Sequence, residues 1–335
     1  MAHLRRTDET SGLEVSPARK QDMGSSKKIL VAVDGSPQSL DTVRYIALNF
    51  SKGDLKVNLI HVVSTEPEPF RDTANERLFS RKMQTKQAEW IRREKESAQE
   101  FLEETRQTLL KANLGEANVG VILRERQTGI ARDIIAESSR GYDAVVIGRQ
   151  GSSRFRDIFL GSVSYKIIQA VVDTPVWVIG EDIKSRKILV PVDGSRNSRK
   201  AVDYVGAFAS LNGAEVTLFN AVREFRLAML DISTPGEEKI EEKILAELEK
   251  DVQRMFASYR RRLEKAGIEA RGISSKYTLQ SRSRSGDILQ EAKEGDFGTI
   301  VMGRRGLSSV HEFPLGRVTT KVLNRADHFA LWIVP

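Results

Sequence analysis

Cysteine is absent from the 335 residues. That excludes disulfides and thiolate metal sites, and it removes any argument for an oxidising compartment. Histidine is scarce. His3, His61, His311 and His328 stand far apart, without an H-E-x-x-H pair, and each reads as a surface or core residue rather than a ligand. No apolar run approaches the roughly 20 residues that a membrane-spanning helix requires. The first 26 residues are polar and of mixed charge, so they read as a disordered tail and not as a secretory signal. The expectation is a soluble, cytoplasmic protein. Neither a G-x4-G-K-[S/T] phosphate loop nor a G-x-S-x-G nucleophile elbow occurs. Carboxylates are plentiful, but none are paired in a way that singles out acid–base catalysis.

What is present begins with charge. The net +7 arises from 53 basic and 46 acidic residues. Both signs alternate through 81–111, the pattern of a solvated helix face. No aromatic platform of the RNP type interleaves with the basic residues, which argues against nucleic acid as a partner. The short run Arg282-Ser283-Arg284-Ser285 reads as a solvated turn before a helix.

Short β-branched runs alternate with helical stretches, which predicts a mostly parallel sheet covered on both faces. The expected first-half strands are 29–33, 56–63, 117–123, 144–147 and 175–179. The expected helices are one from Pro37, with Ser36 as its cap, then 81–113, 129–139 and 162–172. The second half repeats that order, with strands at 187–192, 215–222, 268–274, 299–302 and 330–334. Its helices are placed at 195–211, 237–266, 286–292 and 317–326. The join at 181–186 is too short to tether the halves freely. The domain reading is therefore a tail at 1–26, one domain at 27–181 and a second at 186–335.

The repeat extends to a motif. KKILVAVDGSPQS from Lys27 matches RKILVPVDGSRNS from Arg186. In each half a later strand runs into Gly-x2-Gly, nine residues follow, and another glycine opens a helix. These glycines are Gly148, Gly151 and Gly161 in the first copy, and Gly303, Gly306 and Gly316 in the second. Glycines there let backbone amides approach phosphate oxygens, and a helix N-terminus favours anions. Ser162 can donate to terminal phosphates or merely cap its helix. Taken singly, each position also has a plain reading: Asp34-Gly35-Ser36 as a turn with a cap, Gly148 as a strand end. Together, in order and in two copies, they point to nucleotide binding in the first half. In the second half Arg317 replaces the hydroxyl, and Pro314 stands where the first copy has Phe159. There the cation either clasps phosphate or fills the pocket.

With V-D-G-S after strand one, G-x2-G-x9-G-[S/T] after strand four and a closing V-x-V strand, each half resembles the universal stress protein family. The resemblance covers nearly everything from Lys27 to Pro335, with Arg317 its one departure at a key place. It implies two tandem Rossmann-like α/β domains of the adenine nucleotide alpha hydrolase-like kind. Each would be a five-stranded parallel sheet of order 3-2-1-4-5 with helices on both faces, binding ATP accompanied by Mg. By the same resemblance, Asp34 holds a ribose hydroxyl or a metal ion on the triphosphate, and the backbone at Val62 and Val63 reads the adenine edge. The implied set further includes Arg149 and Val163 beside the glycines, and Asp193 with Arg317 in the second half. Metal ligands are not fixed by the sequence. The family also implies pairing through the fifth strand, which a tandem chain can satisfy internally; whether it pairs again as a homodimer stays open.

The functional expectation is an ATP-binding stress-response regulator that acts on an unknown protein partner. The alternative is an interaction scaffold of the same fold that binds no nucleotide. An ATP-dependent ligase or hydrolase would need a longer pyrophosphate loop than Asp34-Gly35-Ser36-Pro37 offers, so hydrolysis is expected to be slow or absent.

Overall fold

A computed structural model describes residues 26–50, 55–64, 81–150, 160–209, 213–223, 237–281, 283–306 and 314–335. The expected tail therefore lies, apart from Ser26, outside the described residues, as do Gly151, Phe159, His3, His311 and Arg282. The first half runs β1 (Lys27–Ala32), α1 (Pro37–Phe50), β2 (Leu55–Val63), α2 (Arg81–Lys111), β3 (Val119–Glu125) and α3 (Ile130–Ser138). It ends with β4 (Ala144–Gly148), α4 (Ser162–Ala170) and β5 (Val176–Ile179). The second half runs β6 (Ile188–Pro191), α5 (Arg196–Ala209), β7 (Val216–Arg223), α6 (Glu237–Lys265) and β8 (Ile273–Ser281). It closes with α7 (Arg284–Glu294), β9 (Thr299–Gly303), α8 (Arg317–Leu323) and β10 (Ala330–Val334).

Each half has the expected order, but the two sheets are one. Ten strands run β3-β2-β1-β4-β5-β10-β9-β6-β7-β8. Pairing within each half is parallel, and β5 meets β10 antiparallel, with Val178 opposite Leu331. A parallel sheet is buried on both faces, so its strands are continuous apolar runs whose alternate residues serve different layers. Ile29 and Val31 pack with α1 and α2, whereas Leu30 packs with α3 and α4. The same two layers continue through the second half, beneath α5 and α6 on one side and α7 and α8 on the other.

The seam carries matched contacts. Trp177 and Trp332 are fully buried at its centre. Tyr45 of α1 reaches the Thr299 hydroxyl of β9 at 2.7 Å, and Tyr204 of α5 donates to the Asp143 carbonyl at 3.1 Å. The third strand of each half starts later than expected, because a 3-10 turn (Glu116–Asn118, Ala270–Gly272) intervenes. Ile268, expected at the start of the eighth strand, lies outside it. It instead closes α6, its N–H bonded to the Leu263 carbonyl and its side chain buried.

Candidate functional site

β1 and β4 are parallel neighbours, with Val31 opposite Val146, and the sheet winds in opposite directions on either side of them. Such a switch point leaves a crevice beyond the carboxyl ends of the strands. Asp34 turns into that crevice on a left-handed residue, Gly35 at φ +80°, which a side chain would strain. The head of α1 then fixes the carboxylate. The Ser36 N–H and the Ser39 hydroxyl donate to Asp34 Oδ1 at 3.1 and 2.6 Å, and the Asp34 N–H donates to Ser39 Oγ at 2.8 Å. The second half repeats the turn: the Ser195 N–H donates to Asp193 Oδ1 at 3.0 Å. Its second serine differs, because the Ser198 hydroxyl pairs with the Tyr259 hydroxyl at 3.1 Å.

The glycines of strand four and of the following helix come together in both halves. The Gly161 N–H donates to the Arg149 carbonyl at 2.9 Å, and Ser164 Oγ donates to the Gly148 carbonyl at 2.8 Å. In the second half the Gly316 N–H donates to the Arg304 carbonyl at 2.9 Å and Thr319 Oγ1 to the Gly303 carbonyl at 3.0 Å. Gly161 and Gly316 occupy the cap positions of α4 and α8, where no side chain caps the helix. Ser162 is therefore not a cap; it stands exposed in the first turn, with Val163 partly buried behind it. Arg317 is likewise exposed rather than packed into the crevice.

The clearest meeting of the two motif pieces is in the second half. A Cβ on Gly306 would fall 2.7 Å from Asp193 Oδ2, so the loop glycine adjoins the strand-one carboxylate there. A cavity of about 570 Å³ opens beside that contact, walled by Val252, Met255 and Tyr259 of α6 and rimmed by Asp193, Asn220 and Arg284. In the first half the loop after β3 is drawn over the same end of the sheet by Asp133. Its carboxylate accepts from the Gln127 and Thr128 amides at 2.8 and 3.1 Å and from the Thr128 hydroxyl at 2.9 Å. Burial alone would raise the Asp133 pKa, but these donors hold it below the ordinary carboxylate value.

One expectation needs correction and two residues were missed. The Arg149 side chain does not face the loop. It is buried in the seam, donating to the Leu323 carbonyl and ion-paired with Asp327 at 2.8 Å, because the end of β4 lies against the other half. Val63 is buried, and its carbonyl already accepts the Arg126 N–H at 2.9 Å. Arg304, absent from the expected set, mirrors Arg149 from the second half. His61 was read as a plain core or surface residue. Its ring packs edge-on to Phe101, and its buried Nδ1 has no hydrogen-bond partner among the described residues. Burial depresses its pKa below the ordinary 6.5, and the nearby Asp34 charge partly opposes that shift. The strand registers, Ile29 opposite Val57 and Ile188 opposite Val216, make Asn220 its counterpart on the cavity rim.

No helix among the described residues is long and apolar enough to cross a membrane. Among them, too, no group of three or more His, Asp or Glu could hold a metal ion. The model of the universal stress protein family matches twice, over residues 25–180 and 184–335. A universal stress protein of Mycolicibacterium smegmatis is 24% identical over 309 residues, covering 89% of this chain and 94% of that protein. Universal stress protein YxiE of Bacillus subtilis is 29% identical over 136 residues, covering 41% of this chain and 90% of that protein. Among solved structures, a universal stress protein from Archaeoglobus fulgidus superposes with a TM-score of 0.58 at 20% identity, covering 92% of this chain and 98% of that one.

Proposed function

The chain belongs to the universal stress protein family, and from that premise we propose that it is an ATP-binding regulatory protein of the stress response. Its two domains are bounded at 27–181 and 186–335. The first binds ATP. Amides following Gly148 and Gly151, with Gly161, Ser162 and Val163 at the head of α4, receive the phosphates. Asp34 meets the ribose or the Mg that travels with the triphosphate, and the backbone at Val63 borders the adenine. In the second domain Asp193, Gly303, Gly306, Gly316 and Arg317 form a variant of the same cradle.

One observation carries this reading: Gly306 adjoins the Asp193 carboxylate, a Cβ there falling 2.7 Å from Asp193 Oδ2, which brings together the two pieces of the motif that are most distant in sequence. The head of α4, where no side chain caps the helix, supports it in the first half, because the first-turn N–H groups of a helix favour an anion. The protein acts as a nucleotide-dependent switch in the cytoplasm and turns ATP over slowly or not at all. Its regulatory partner would read a conformation that ATP stabilises over the empty one.

Isothermal titration tests the site. Wild-type protein should bind ATP with Kd in the micromolar range, about 8 kcal/mol, and Gly161→Val with Ser162→Ala should abolish the first-domain isotherm. Equal binding by both proteins would reject the cradle, and absence of ATP binding in the wild type would leave a scaffold of the same fold.

A further inference from the structure

Arg304 opens the second glycine loop, yet its charge is spent in the first half. Its Nη1 donates to the Val171 carbonyl at 2.9 Å and its Nη2 to the Ile168 carbonyl, while Nε donates back to the Pro314 carbonyl at 2.9 Å. Only 5% of the residue is exposed. Its backbone is fixed as well, the carbonyl by the Gly316 N–H and the N–H by the Val334 carbonyl. Ile168 and Val171 lie at the C-terminal end of α4, where carbonyls lack helical partners and a cation complements the dipole. The other end of that 9-residue helix is Gly161–Ser162, the head of the first cradle. A helix so short, about 13 Å long, moves as a rod.

We propose that Arg304 is a positioning residue for the phosphate end of the first cradle, acting across the seam through α4. The anchoring of Arg304 thereby sets ATP affinity in the first domain. Arg149 makes the mirrored contact, from the first loop to the Leu323 carbonyl and Asp327 after α8. The loop-to-helix grip is thus exchanged in both directions. A guanidinium that served only to glue the halves would be indifferent to what the far end of α4 binds. The inference rests on the nucleotide reading above.

The test uses the full chain and follows the amide resonances of Gly161 and Ser162, which report first-domain occupancy alone, during titration with ATP and with AMP. Arg304→Gln is expected to weaken ATP about tenfold, within the usual span of coupling between sites, while AMP affinity changes little. Arg304→Lys, which keeps a cation at the helix end, should recover part of the loss and guards against a variant that merely folds poorly. Unchanged ATP affinity in Arg304→Gln, or an equal loss for ATP and AMP, overturns the positioning role and leaves the cradle standing. A wild type whose two resonances ignore ATP removes both the cradle and this inference.

Discussion

Trp177 and Trp332 lie opposite one another across the β5–β10 pairing, their indole planes 6° from parallel and their ring centres 4.0 Å apart. Phe50 stacks on the pair at 5.7 Å from Trp177, and Phe208 meets Trp177 edge-on at 5.1 Å. Each half contributes one indole and one phenyl ring, so neither half owns this cluster. Removing one indole opens a cavity shared by both.

Trp332→Ala should therefore lower stability by about 3–5 kcal/mol, the usual cost of deleting a buried aromatic. Denaturant unfolding of the wild type should follow one transition that reports both halves together. Two separated wild-type transitions, or a loss below about 1 kcal/mol in the variant, would show that the halves are stable without the seam.

The Tyr45–Thr299 bond joins α1 to β9 within a fully buried setting. Tyr45→Phe leaves the Thr299 hydroxyl short of a partner and should cost about 1–3 kcal/mol. Thermal unfolding of Tyr45→Phe beside the double variant with Thr299→Val checks it. The second change should restore part of the loss, since replacing both partners by apolar groups leaves nothing polar unpaired.

The strand-four glycines should differ in tolerance. A Cβ at Gly303 would fall 2.7 Å from Asn197 Cβ and 2.9 Å from its backbone, whereas at Gly148 the nearest atom is the Gln150 carbonyl oxygen at 3.2 Å. Gly303→Ala should destabilise by about 1–3 kcal/mol through overpacking at the head of α5, and Gly148→Ala by clearly less. Matching unfolding midpoints for the two variants would contradict the difference in space.

Protonation of His61 should tax the fold in mild acid. Its folded pKa lies below the ordinary 6.5, so as pH falls under 6.5 the unfolded chain takes up a proton that the native state resists. Stability must then drop with falling pH until the folded pKa is reached, and rise again with pH through that window. His61→Asn, which installs the residue found at the matching position in the second half, should flatten this part of the profile. Denaturant midpoints between pH 5 and 7 provide the comparison; parallel slopes for variant and wild type would rule out His61 as the source.

Much of this was legible in the chain because its signals are local. Continuous apolar runs at 29–33 and 144–147 announce strands buried on both faces, and Asp34-Gly35-Ser36-Pro37 announces a turn and a helix head. The repeated spacing then places Asp34 and Gly148 at one crevice once strands one and four are neighbours. What escaped was direction and long-range pairing. Arg149 follows a loop glycine and so resembles a loop residue, but nothing in its neighbours says that its side chain turns toward Leu323 and Asp327 of the other half. Arg304 was passed over for the same reason. Ile268 misled because a buried apolar residue closing a helix looks, in one dimension, like the first residue of a strand. His61 carried one readable clue, its register match to Asn220, which appears only when the halves are aligned strand by strand.

The antiparallel seam has an evolutionary corollary. Two separate copies meeting at such an axis must be identical, and every substitution strikes both at once. Here the two sides are encoded separately, so each can drift alone: His61 corresponds to Asn220, Ser162 corresponds to Arg317, and the Ser39 and Ser198 hydroxyls have found different companions. A symmetrical frame has in this way become free to carry unequal work.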